Sequence, residues 1–161
     1  MKKILILVLI LAVGVGIIFY INDDENPEII LNNRNSEITI SKEEVISMDN
    51  ATAFPVVIRS SGNVPVEAEY IGIYLLDFFQ EIGVDIEGFK SITFNASDGY
   101  RVIIPSDDIN QPLNTYITYA RDGSELAPKS KGGNGPFQLV IRMDPFSQRW
   151  IKHVDGIIIN Y

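Results

Sequence analysis

The sequence predicts an α+β fold: a single mixed, mainly antiparallel β domain with one long and one short helix, set behind an N-terminal transmembrane helix. Three observations predict it. Residues 4–21 are apolar throughout, with no charge and no proline. Most of the remaining chain breaks into short segments of alternating polar and apolar residues, bounded by Gly, Pro, Asn, Asp and Ser, as half-buried strands do. Only one soluble stretch, Tyr70 to Ile82, combines length with a helical apolar pattern.

The apolar run Ile4 to Ile21 would be roughly 27 Å long as a helix, close to the hydrocarbon thickness of a bilayer. Lys2 and Lys3 precede it and Asp23, Asp24 and Glu25 follow it, so the positive-inside rule places the rest of the chain outside the cytoplasm. The expected localisation is the cell membrane, single-pass, with the C-terminal domain extracytoplasmic. The alternative is a cleaved signal peptide. Its cleavage site needs small residues at the end of the apolar core, whereas this run ends Ile17-Ile18-Phe19-Tyr20-Ile21. With no cysteine in the chain, lipoprotein processing is excluded.

The domain plan is therefore 1–21 anchor, 22–36 polar spacer, 37–161 folded domain. The spacer reading rests on the Asn- and Asp-rich stretch around Pro27. Ile38-Thr39-Ile40 alternates as a first strand. Ser41 with Glu44 forms a capping box for a short helix through about Met48, which assigns Glu43 and Glu44 to capping rather than to acid-base chemistry. Phe54 to Arg59 reads as a strand ending in the turn Ser60-Ser61-Gly62-Asn63. The long helix follows over Tyr70 to Ile82, with Asp77, Gln80 and Glu81 on its polar face and Gly83 placed to cap it. Ser91 to Asn95 and Tyr100 to Ile104 form a hairpin about Ser97-Asp98-Gly99. Strands are expected at Tyr116 to Ala120, Phe137 to Arg142 and Val154 to Asn160, with a glycine-rich loop at Lys129 to Pro136.

Composition excludes several functions. The chain has 13 basic and 21 acidic residues; without Lys2 and Lys3 the balance is 11 to 21, a net charge near −10. Such a surface repels phosphate backbones, so no nucleic-acid partner is expected. Zero cysteines remove disulfides, thiolate metal sites and cysteine nucleophiles together. The core must then come from apolar burial, which 46% apolar residues can supply. His153 is the sole histidine, no G-x-S-x-G elbow exists, and no carboxylate spacing selects an acid-base pair. Asp107 and Asp108 read as a solvated turn, His153 as structural, and Trp150 with the tyrosines as packing. The loop Lys129 to Pro136 has the glycines and lysines of an anion cradle, though it lacks the P-loop order; the competing reading is a plain connection between strands.

The segments taken in order carry more than any one alone. A Phe-Pro strand leads to S-S-G-N, then Y-I-G-I-Y-L-L-D-F-F-Q-E-I-G-V, N-A-S-D-G-Y, Y-A-R-D-G-S-E-L-A-P, G-G-N-G-P-F-Q-L-V-I and W-I-K-H-V-D-G-I-I-I. This order resembles the molybdopterin-binding domain of the sulfite oxidase fold, over roughly Glu37 to Ile159. That family places a cysteine ligand to molybdenum in a C-A-G-N segment, and the resemblance puts Ser60 at its position. The family's arginine in G-P-x-R-L-V corresponds to Gln138, while Lys152 matches the lysine of the closing strand. The family exports its proteins folded and loaded, by a twin-arginine signal, which this N-terminus lacks.

These departures imply a fold kept without its redox site. The expected function is a membrane-anchored extracytoplasmic module that binds a small molecule or an envelope protein, with no catalytic residue, no metal ligand and no cofactor. If a pocket survives, the resemblance places its lining at Arg59, Ser60, Asn63, Arg101, Lys131, Gly133 and Lys152. The alternative is a molybdopterin-dependent oxidoreductase with Ser60 in place of the cysteine ligand, although a serine hydroxyl is harder and far less acidic than a thiol.

Overall fold

The computed structural model describes residues 27–161. Two five-stranded sheets and three short helices form the domain. The first sheet has the order β2-β1-β10-β5-β6. Its strands are β1 (Glu28–Asn33), β2 (Ser36–Ser41), β5 (Ser91–Ala96), β6 (Arg101–Pro105) and β10 (Val154–Asn160). The second sheet runs β3-β4-β7, with β8 and β9 sharing the far side of β7. Those strands are β3 (Thr52–Ile58), β4 (Val66–Tyr74), β7 (Thr115–Arg121), β8 (Ser124–Glu125) and β9 (Gln138–Ile141). All pairings are antiparallel except β1 with β10, which are parallel in the register Ile30 to Gly156 and Asn33 to Ile159. The fold class is thus the mixed, sheet-rich α+β domain that the sequence predicts.

The helices are α1 (Lys42–Ser47), α2 (Leu75–Glu81) and α3 (Ser106–Ile109). The capping box of α1 forms as expected: Ser41 N–H donates to Glu44 Oε2 at 2.7 Å, and Glu44 N–H donates to Ser41 Oγ at 3.3 Å. Alternation places Ile29 and Leu31 of β1, Ile92 and Phe94 of β5, and Ile157 and Ile159 of β10 on one face. They are buried in a single core with Phe54, Tyr70, Ile73, Phe78, Ile117 and Leu139.

Three expectations are corrected. The polar stretch read as a spacer to Ser36 supplies β1 and the start of β2. Ile29 and Leu31 are fully buried there, so two alternating aliphatics outweigh the surrounding Asn and Glu. The long helix is the second correction: Tyr70 to Tyr74 lies in β4, and α2 begins only at Leu75. Tyr70 to Tyr74 pairs with β7 on one side, and Tyr70 to Gly72 also pairs with β3 on the other. A side chain at Gly72 would press on the Ile117 carbonyl at 2.3 Å. Cross-strand pairing at this close approach overrides the helical pattern. Third, Asp107 and Asp108, expected in a solvated turn, lie in the short helix α3, with Pro105 at its N-cap position. Gly83 does end α2, with its N–H on Gln80 C=O and the Val84 N–H on Phe79 C=O. Among the described residues no helix is long and apolar enough to cross a membrane, and the expected anchor over 1–21 lies outside them.

Candidate functional site

The β3–β4 hairpin carries Arg59, Ser60 and Asn63 at its exposed tip. The Arg59 carbonyl accepts from Ser147 N–H at 3.0 Å and from Ser147 Oγ at 2.9 Å, which ties the tip to the segment before Trp150. Asn63 N–H closes the turn on the Ser60 carbonyl at 3.2 Å. Arg101 opens β6 in the other sheet, exposed, with Nε donating to Asn95 Oδ1 at 2.7 Å. Lys131 and Gly133 lie in the glycine-rich loop, and exposed Lys152 separates buried Ile151 from buried His153. The candidate residues therefore come from two hairpins in different sheets, one loop and the lead into β10. None of the seven lines either of two surface clefts, one of about 610 Å³ and one of about 410 Å³.

The glycine-rich loop is turned in on itself. Lys129–Lys131 makes a single 3-10 turn. Lys131 N–H and Gly133 N–H both donate to the Pro128 carbonyl, Gly132 N–H to Lys129, and Gly135 N–H to Ala127 at 2.8 Å. A Cβ at Gly133 would lie 2.0 Å from the Ala127 carbonyl oxygen. The glycine at 133 thus serves a close backbone approach, and these four amides are already spent on internal carbonyls.

His153 braces the same loop. Its N–H donates to Asn134 C=O at 3.0 Å, and its Nδ1 sits 2.8 Å from Gly135 C=O, which assigns the proton to Nδ1. The residue is 7% exposed, in keeping with a structural histidine. Gln138 is 3% exposed; its Oε1 accepts from Tyr70 Oη at 3.3 Å, and its carbonyl accepts from Thr118 Oγ1 at 2.9 Å. Tyr70 packs edge-on to Trp150, whose Nε1 donates to Ile141 C=O at 2.9 Å. This polar-aromatic layer leaves Gln138 committed to the core. Burial pushes the Tyr70 phenol above its usual value, so it stays a neutral donor.

Asp107 is exposed as expected, but Asp108 joins a network that the sequence did not reveal. Arg149 Nη1 donates to Asp108 Oδ2 at 2.6 Å, and its Nε and Nη2 hold both oxygens of Asp144. The bond to Asp144 foremost, then that to Asp108, raises the Arg149 pKa further above its ordinary value. The guanidinium engages two carboxylates at once and fastens the 144–149 segment to α3. Among the described residues no group of three or more His, Asp or Glu side chains could hold a metal ion.

The larger cleft was also missed. Phe79 and Val84 form its floor, Leu76, Ile86 and Phe89 its walls, and Asp85 with Glu87 its acidic rim. The signal was V-D-I-E-G-F just after the helix, where Val84, Ile86 and Phe89 are apolar between acidic residues and a glycine.

No protein-family model matches the chain, and no curated protein is similar to it. Among solved structures, the sulfane dehydrogenase SoxCD from Paracoccus pantotrophus is similar, with a TM-score of 0.66 and 15% sequence identity. The match covers 83% of this chain and 38% of that one, so this chain spans well under half the length of its structural relative. The likeness shows a shared fold, a mixed sheet-rich α+β domain compatible with the sulfite-oxidase-like fold, and the fold alone.

Proposed function

We propose that the chain is a membrane-anchored extracytoplasmic module that keeps a sulfite-oxidase-like scaffold without its redox chemistry and acts by binding a small molecule or an envelope protein. The observation that carries this reading is the closed glycine-rich loop. A phosphate cradle needs amides aimed outward, and the N–H groups of Lys131, Gly132, Gly133 and Gly135 all serve internal carbonyls. Two further positions agree. Gln138 is a neutral, buried partner of Tyr70 where the resemblance implies a cation for the cofactor. Ser60 lies on an exposed hairpin tip, with a hard hydroxyl where the resemblance implies a thiolate. The residues in these positions do not fit molybdopterin. The seven candidate residues accordingly read as surface and packing groups, and the cleft beside α2 is the better place to seek a ligand.

Elemental analysis and pterin fluorescence on full-length protein purified from membranes of its native host test this. The expected result is a protein folded by circular dichroism that carries neither molybdenum nor pterin. About one molybdenum atom per chain would overturn the reading and return Ser60 to attention as a ligand. Fractionation of the same host supplies the test of anchoring: the full-length chain is expected to stay with the membrane after an alkaline carbonate wash.

A further inference from the structure

The cleft beside α2 is made by a short stretch of chain folded back between α2 and α3. Val84 N–H donates to Phe79 C=O at 2.9 Å, which turns the chain after α2. Phe89 N–H donates to Ile86 C=O at 3.2 Å around Gly88, whose φ is 77°. The Asp85 carbonyl accepts from Asn33 Nδ2 and from Tyr161 Oη, both at 3.3 Å. The rim is thus tied to the last residue of β1 and is set before any ligand arrives. Since β1 is a six-residue strand, roughly 17 Å from end to end, the cleft lies at the end of the first sheet opposite chain entry at Glu28.

Its polarity is one-sided. Asp85 and Glu87 are exposed on the rim, and neither forms an ion pair with a described residue. Lys90, next after Phe89, does not line the cleft, and the Arg34 guanidinium is stacked 4.3 Å over the Tyr161 ring. Backbone donors here are already engaged: Glu87 N–H by Asp85 Oδ1 at 2.9 Å, and Ser106 N–H by Lys90 C=O at 2.9 Å. An anion would therefore meet two carboxylates and few free amides. Gln80, Ser106 and Asn110 complete the lining, and no described residue hydrogen-bonds their side chains. Two carboxamides and a hydroxyl remain to accept N–H donors.

We infer that this cleft binds a small soluble organic cation, an ammonium group carried on an apolar body. The body lies on Phe79 and Val84, and the ammonium sits at the rim beside Asp85 and Glu87. The volume of about 610 Å³ falls within the roughly 300–1,000 Å³ of small-molecule sites. A neutral molecule of the same shape would gain the apolar contact and forgo the field of two unpaired carboxylates. The inference deepens the binding-module reading above and rests on it. With an anchor ahead of β1, a cleft at the far end of the sheet takes its ligand from the extracytoplasmic solution rather than from the bilayer.

Three probes that share one apolar body and differ in charge test this: 4-phenylbutylammonium, 4-phenylbutanol and 4-phenylbutyrate. Their binding to the full-length protein in non-ionic detergent is read by saturation-transfer NMR, with protein-free micelles as the blank. The ammonium is expected to bind at least about tenfold more tightly than the carboxylate, with the alcohol between them. Asp85→Asn with Glu87→Gln should weaken the ammonium at least about threefold and leave the alcohol unchanged. Gln80→Trp, exposed on α2, should weaken both by filling the cleft. The control is Glu43→Gln with Glu67→Gln, exposed positions outside the cleft that remove the same charge. Equal binding of the three probes would overturn the inference. So would ammonium binding that survives D85N/E87Q, or that E43Q/E67Q weakens as much. Circular dichroism of each variant confirms that the fold is kept. The two failures are separable: a folded protein free of metal and pterin that shows no preference for the ammonium overturns the cation site alone, whereas molybdenum in the preparation overturns the reading beneath it.

Discussion

The hydroxyl of Thr115, fully buried at the start of β7, has no hydrogen-bond partner among the described residues. Burying a hydroxyl without a partner is costly, and valine has nearly the same shape. Thr115→Val is therefore expected to stabilise the domain by about 1 kcal/mol, read as a rise in the denaturant midpoint. Gly133 gives the opposite case. A methyl group there collides with the Ala127 backbone, so Gly133→Ala should cost about 1–3 kcal/mol in chemical denaturation. An equal loss at Gly132, where a Cβ meets nothing within 4 Å, would show backbone conformation rather than crowding to be the cause. At this scale the sequence was legible for His153, whose solitude pointed to structure. It was not legible for Arg149 or Gln138, because their roles depend on Asp108 and Tyr70, partners far away in the chain.

Elements were legible where local chemistry decides them. The box of Ser41 and Glu44 starts α1, and the turn residues Ser97 to Gly99 close the β5–β6 hairpin. The box also makes a pH prediction. The backbone bond from Ser41 chiefly holds the Glu44 carboxyl below its ordinary value of 4.5. Its stabilisation is present above that value and lost as pH falls through the lowered one. Glu44→Gln should thus lower the denaturation midpoint at pH 7 and leave it unchanged near pH 2. A deficit that persists at pH 2 would mean that the carboxylate charge is not the source. Tyr70 to Tyr74 was misread for a physical reason: with both neighbours in place, this part of β4 has too little exposed surface to show a period of two. Only Leu75 to Glu81 had the polar face that the helical pattern required.

For the whole molecule, the class of fold was legible because seven strands and two turns announce themselves locally, whereas the layout of two sheets depends on pairings between distant segments. The candidate site fared worse. Its residues were transferred by resemblance, and the fold distributes them over two hairpins, a loop and the lead into β10. The domain boundary offers a direct test. A chain beginning at Glu37 lacks β1 and with it buried Ile29 and Leu31, whose loss at about 2–5 kcal/mol each rivals the total stability of a small domain. It should show no cooperative unfolding, while a chain beginning at residue 26 should unfold as a unit. The parallel pairing of β1 with β10 has a last consequence, for the order of assembly. Ile30 lies beside Gly156, almost the full length of the domain away in sequence. β1 and β2 can close as a hairpin early in synthesis, but that hairpin has no place to dock until β10 has emerged. The domain must remain incomplete, with one flank of its first hairpin unpaired, until β10 is made. This is the topology of a slow folder, whose long-range pairing forms late.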